Sequence, residues 1–99
     1  MFLHIALQEG FKQDALEIRV NGKEVYKKEG VTTRLQTGFA DAMETDVRTP
    51  HVTIEINLSN KQISQMLNLD IVQPTYLGIS MTAEGRVEHR ISFEPFGYL

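Results

Sequence analysis

Asp14 to Gly30 reads DALEIRVNGKEVYKKEG, and Asn21-Gly22 at its centre is the dipeptide that most readily takes the positive φ values of a two-residue type I′ turn. Strand-like runs flank it on both sides. A two-residue loop pairs Val20 with Lys23, Arg19 with Glu24, Ile18 with Val25 and Glu17 with Tyr26. In that register Leu16, Ile18, Val20 and Val25 share one face, and Arg19 and Glu24 oppose each other as unlike charges on the other. The stretch predicts a β-hairpin and, with it, an all-β protein.

Outward from the hairpin, the same two-residue period recurs. Before it, Leu3, Ile5 and Leu7 alternate with His4, Ala6 and Gln8, so Phe2–Gln8 predicts a first strand. After it, GVTTRLQTG (30–38) is bracketed by glycines and predicts a loop or a short irregular edge strand. Phe39–Val47 has helix-forming Ala, Met and Glu, but it alternates and has strands for neighbours, so a strand is preferred to a helix. Pro50 marks a turn. His51–Leu58 then directs Val52, Ile54, Ile56 and Leu58 inward and His51, Thr53, Glu55 and Asn57 outward, as in a sheet with one wet face. Ser59-Asn60-Lys61-Gln62 resembles a capping-box start, which makes a helical turn near Asn60–Gln65 the alternative to loop, ahead of a strand from about Met66 to Val72.

The second well-specified hairpin spans Thr75 to Phe93 around Ala83-Glu84-Gly85, a three-residue loop with Gly in the left-handed position. Its register sets Met81 against Val87, Ile79 against His89, Leu77 against Ile91 and Thr75 against Phe93. Nearly all the apolar residues of both strands then lie on one side. A four-residue loop would set apolar against polar throughout. The tail Glu94-Pro95-Phe96-Gly97-Tyr98-Leu99 is apolar and aromatic, and Pro95 stops it from joining a central ladder. Seven or eight short strands with turn signals every 8 to 15 residues predict an antiparallel β-sandwich with Greek-key connections, of the immunoglobulin-like or prealbumin-like kind. A small closed barrel is the second choice. No residue motif assigns a family.

The composition narrows function by exclusion. Residues 1–99 read as one domain, with 41% hydrophobic and 23% charged residues, neither disordered nor membrane-like. The N-terminus lacks the basic start and small-residue cleavage site of a signal peptide. A net charge of −3 and no basic run denser than Lys27-Lys28 argue against nucleic acid. Without cysteine there is neither a disulfide framework nor a thiolate, consistent with a cytoplasmic protein. No metal, cofactor or membrane partner is expected.

Candidate chemistry is sparse. The register sets His89 among Met81, Val87, Ile79 and Ile91, which predicts a partly buried imidazole at the edge of the core; a hydrolytic site around it is the sharper reading. Asp41, Glu44 and Asp46, with Asp14, could supply hard oxygen ligands to calcium, but alternation sets Asp41 on the opposite face from Glu44 and Asp46. No nucleophile elbow, paired-carboxylate motif or phosphate loop occurs, so an enzyme is not expected. The remaining candidates are Tyr26, Tyr76, Arg90, Phe96 and Tyr98, with Tyr26 and Tyr76 assigned to polar faces and Arg90 diagonal to Tyr76, close enough to stack. They point to a non-catalytic binding or assembly module, acting on a protein partner or on itself as a homodimer. It would work through a strand edge, the GVTTRLQTG loop or the tail. The alternative is a carbohydrate- or calcium-binding face of lectin-like or C2-like type.

Overall fold

In a computed structural model that describes residues 1–97, eight strands form two four-stranded sheets packed face to face, a β-sandwich. The strands are β1 Phe2–Leu7, β2 Asp14–Val20, β3 Lys23–Val31, β4 Asp41–Asp46, β5 His51–Leu58, β6 Ile63–Asp70, β7 Thr75–Met81 and β8 Val87–Ser92. One sheet has the order β4-β1-β7-β8 and the other β3-β2-β5-β6. Among the described residues no helix is long and apolar enough to cross a membrane.

Alternation in the four inner strands builds the core. Leu3, Ile5 and Leu7 of β1, Leu16 and Ile18 of β2, Val52, Ile54, Ile56 and Leu58 of β5, and Leu77 and Ile79 of β7 are all buried. Each such side chain contributes roughly 1.5–3 kcal/mol by leaving water. Stability therefore resides in the central strands, and the outer four have side chains to spare for other tasks.

The hairpin that decides the fold is present, with Asn21 and Gly22 at φ +51° and +82° in its turn. Val20 opposes Lys23 and Arg19 opposes Glu24, but the register then shifts, so that Ile18 opposes Tyr26 and Glu17 opposes Lys27. The expected pairs Ile18–Val25 and Glu17–Tyr26 are thus corrected by a β-bulge at Val25, which adds one residue to the outer strand and leaves the turn unchanged. The bulge moves Tyr26 from the polar face to the inner one. There its hydroxyl donates to Asp41 Oδ2 at 2.8 Å, and Lys28 Nζ lies 3.3 Å from the same oxygen. Asp41 belongs to β4 of the other sheet, so this trio closes the β3/β4 side of the sandwich.

Three further expectations change. The pairing of β1 with β7 is parallel, which makes that sheet mixed; the two strands are separated in sequence by the whole second sheet, long enough for such a crossover. Strand β3 runs on through Gly30 to Val31, leaving residues 32–40 as a loop closed by an Arg34–Phe39 bridge. Strand β6 begins at Ile63 and ends at Asp70, earlier at both ends than Met66–Val72, because one turn of 3-10 helix at Ser59–Lys61 suffices to reverse the chain. Met66 consequently faces solvent, while Leu67 and Leu69 face the core.

The same turn explains Asp14. Its side chain is fully buried; Oδ2 accepts from the Lys12 amide at 2.9 Å, Oδ1 accepts from Asn60 Nδ2 at 2.8 Å, and Lys61 Nζ lies 3.1 Å from Oδ1. Asn60 Oδ1 accepts from the Ala15 amide in return. Burial pushes the carboxyl of Asp14 up, but the bonds from Asn60, Lys12 and Lys61 outweigh it and hold the group below the usual carboxylate range. The carboxylate ties β2 to the β5–β6 connection.

Candidate functional site

The Thr75–Phe93 hairpin has the expected register, with Met81 against Val87, Ile79 against His89 and Leu77 against Ile91, and Gly85 at φ +83° in its loop. Its burial differs from expectation. Met81, Ile79 and Leu77 of β7 are in the core, whereas on β8 Val87 is only partly covered and His89 is exposed, with Ile91 46% and Phe93 59% exposed. The partly buried imidazole expected at His89 is therefore corrected. Register determines which face a side chain shares, but cover depends on what stands opposite. β8 is the terminal strand of its sheet, and the sandwich is open on that side.

Among the described residues β8 thus presents a largely apolar inner face and an unpaired edge together. Thr82 N donates to Arg86 O at 2.8 Å where the hairpin closes. Bonded and non-bonded pairs alternate along an antiparallel ladder, so Arg86, Glu88, Arg90 and Ser92 direct their backbone groups to β7. Those of Val87, His89 and Ile91 point away from it, along the free edge.

The outer face of the same sheet carries two of the aromatic candidates, Tyr76 and Phe96. Tyr76 opposes His4 across the β1–β7 pair, and its ring lies 5.3 Å from His4, 5.6 Å from Phe2 and 6.4 Å from Phe96. The Arg90 guanidinium sits 4.6 Å over the Phe96 ring, so the cation stacks on Phe96 instead of Tyr76. His4 Nδ1 and Glu44 Oε2 are 3.0 Å apart beside the cluster. At Phe96 the tail is therefore packed on the outer face of its own sheet. Tyr98 lies outside the described residues.

Beyond this cluster Gly78 forms the floor of a cleft of about 340 Å³, lined by Gln8, Ser80, Arg90, Glu88 and Thr37 among others. A Cβ at Gly78 would come within 2.6 Å of Gln8 Oε1, so the glycine makes room for the Gln8 amide. Thr37 Oγ1 is buried at the cleft without a hydrogen-bond partner among the described residues. The GVTTRLQTG loop, whose Thr37 and Gly38 line the cleft, carries Leu35, 98% exposed.

The structure thus brings Tyr76, Arg90 and Phe96 together and separates Tyr26, which belongs to the β3/β4 seam. Sequence reasoning set His4 on the second face of β1 but missed Phe2, Gln8 and Gly78 as parts of this face. The signal was the alternation of β1 itself: the residues opposite Leu3, Ile5 and Leu7 form one row, which the parallel pairing with β7 sets beside Tyr76 and Gly78. The acidic residues do not converge. Asp41 is held by Tyr26 and Lys28 while Glu44 faces His4, and no three His, Asp or Glu side chains form a group suited to a metal ion among the described residues. No protein-family model matches the chain, and no curated protein matches its sequence.

Proposed function

We propose that this chain is a non-catalytic assembly module that takes up an extended protein segment by strand addition along β8. One observation carries the reading: β8 combines an unpaired edge, with the backbone groups of Val87, His89 and Ile91 directed outward, and an uncovered inner face bearing Ile91 and Phe93. Main-chain bonds along such an edge supply affinity, and pockets for alternate side chains supply selectivity. The other edges are less suited. β3 carries a bulge and Lys27 and Lys28, β4 carries Glu44 and Asp46 and adjoins the closed seam, and the inward leucines of β6 are already covered. Bulges and like charges blunt an edge, whereas β8 has no bulge and its Glu88 and Arg90 are of opposite sign.

The test is a titration of dilute, isotope-labelled protein with N-acetylated seven-residue peptides that alternate β-branched and charged residues. Amide shifts concentrated on Val87–Ser92 support the reading. Shifts elsewhere, or none across the panel, overturn it.

A second reading rests on the unpartnered Thr37 hydroxyl in the Gly78 cleft. A sugar-sized polar ligand seated there beside Arg90 would make the outer face a recognition surface. A thermal-unfolding screen with monosaccharides tests it, since a ligand at about 100 times its Kd adds roughly 2.7 kcal/mol, a rise in Tm on the order of 10 °C for a chain of this length.

A further inference from the structure

We infer that the segment added to β8 is β8 of a second copy of this chain, joined about a two-fold axis at His89. The inference rests on the strand-addition reading and names its partner. It follows from the strand's self-complementarity. A two-fold axis perpendicular to the sheet keeps inner faces together, so only residues of like orientation can oppose each other. Within Val87–Ser92 that leaves few registers, and charge separates them.

Centred on Glu88, the pairing opposes two glutamates; centred on Arg90, it opposes two arginines; centred on Ile91, it sets Glu88 against Glu94 and Arg90 against Ser92. Centred on His89, it sets Glu88 of each chain against Arg90 of the other, twice, on the outer face. On the inner face it sets Val87 against Ile91, twice. The alternation of backbone groups agrees. His89, Val87 and Ile91 carry the outward N–H and C=O groups, so the axial pair and the two Val87–Ile91 pairs are the hydrogen-bonded ones. The Glu88–Arg90 pairs then fall at the non-bonded positions, where opposed side chains approach most closely. One step past the strand, Phe93 comes beside Gly85 of the second copy, where a Cβ would meet open space. A register centred on Val87 also pairs unlike charges, but only through Glu84 and Arg86, which lie in the hairpin loop and not in the strand.

The result is one eight-stranded sheet, β4-β1-β7-β8 continued by its own mirror order, with Val87 and Ile91 meeting their counterparts along the open side. β6 has a free edge too and is the rival site for self-pairing; on its outer face Ser64, Met66 and Asn68 carry no charge, and Asp70 at its end faces His51 at 3.3 Å, so no pair of unlike charges on that face fixes a register.

The experiment uses the full chain and reads mass and cross-linking. Light scattering of the native protein should give twice 11.3 kDa at high concentration. Arg90→Glu opposes two glutamates at each pair and should yield a monomer, and adding Glu88→Arg to it reverses both charges and should restore the dimer. The chain has no cysteine, so His89→Cys gives an unambiguous cross-link: axial Cα atoms about 5.5 Å apart are within disulfide range, and oxidation should trap a covalent dimer. Ile91→Cys, whose two copies stand four residues apart along the strand, should not cross-link.

A native monomer at every concentration overturns the inference, as does a dimer indifferent to the charge reversal or lacking the His89→Cys cross-link, which would indicate β6 or another face. If the native protein is monomeric but the alternating peptides still shift the β8 amides, strand addition stands and only the identity of the partner falls. If neither occurs, both fall. Circular dichroism of each variant confirms that it is folded.

Discussion

Asp14 is the residue whose environment departs furthest from what its type suggests. A buried carboxylate is costly, and here the cost is offset by the Lys12 amide, Asn60 and Lys61. Asp14→Ala removes the acceptor and leaves a Lys61 ammonium and an Asn60 amide without it, which should cost about 3 kcal/mol in chemical denaturation. The sign of the pH effect follows from the direction of the shift. For Asp14 and Asp41 the folded carboxyl lies below its ordinary value of 3.8. Their contribution is therefore fully present above about pH 5 and is lost as pH falls through 3.8 and below. The wild-type Tm should drop on acidification across that window, and the drop should be smaller in Asp14→Ala. At Gly10, φ is +87° and a Cβ would stand 1.9 Å from the Met81 carbonyl oxygen. The Met81 amide meanwhile donates to Glu9 O at 2.8 Å. Gly10→Ala must break that approach, and a loss of about 3 kcal/mol or more is expected from the strain and the parted strands.

At the scale of the element, the two hairpins show what was legible in the chain and what was not. Asn21-Gly22 and Gly85 each announced a turn and its loop length, because a positive φ selects a residue locally. The β7–β8 register followed and is the one observed. The bulge at Val25 did not announce itself, since nothing in EVYKK distinguishes a strand with one extra residue from one without. It took Asp41, 15 residues further on, to give Tyr26 an inward partner. The exposure of β8 was equally hidden. Its alternation matches that of a covered strand, and only the exposure of Ile91 and Phe93 reveals that the described residues leave it uncovered. Neighbouring substitutions should show this directly. Ile79→Ala in β7 should cost roughly 3–4 kcal/mol, while Ile91→Ala, part of the paired strand but largely exposed, should stay within about 1 kcal/mol in the monomer. Removing residues 95–99 should leave the core intact, since Phe96 lies on the outer face, and urea denaturation of the truncated chain should keep its cooperativity.

At the scale of the whole molecule, the two open sides of the sandwich are treated differently. On one, Tyr26 and Lys28 reach across to Asp41 and close the seam; on the other, Ile91 and Phe93 remain uncovered. Tyr26→Phe should therefore weaken folding by only about 1 kcal/mol without changing mass, whereas changes at Glu88 and Arg90 should alter association and scarcely affect folding. The sandwich class was readable from alternation and turn spacing because both are local. The pairing of first and seventh strands, which brings Tyr76, His4 and the Gly78 cleft onto one face, was not, because it depends on how the chain crosses between sheets.

The most direct measurement is amide hydrogen exchange along β8 at low and high protein concentration. In dilute solution Glu88 and Arg90, bonded to β7, should exchange slowly while Val87, His89 and Ile91 exchange fast. At high concentration all five should be slow. Fast exchange at Val87, His89 and Ile91 at every concentration would contradict an edge that pairs with a second copy.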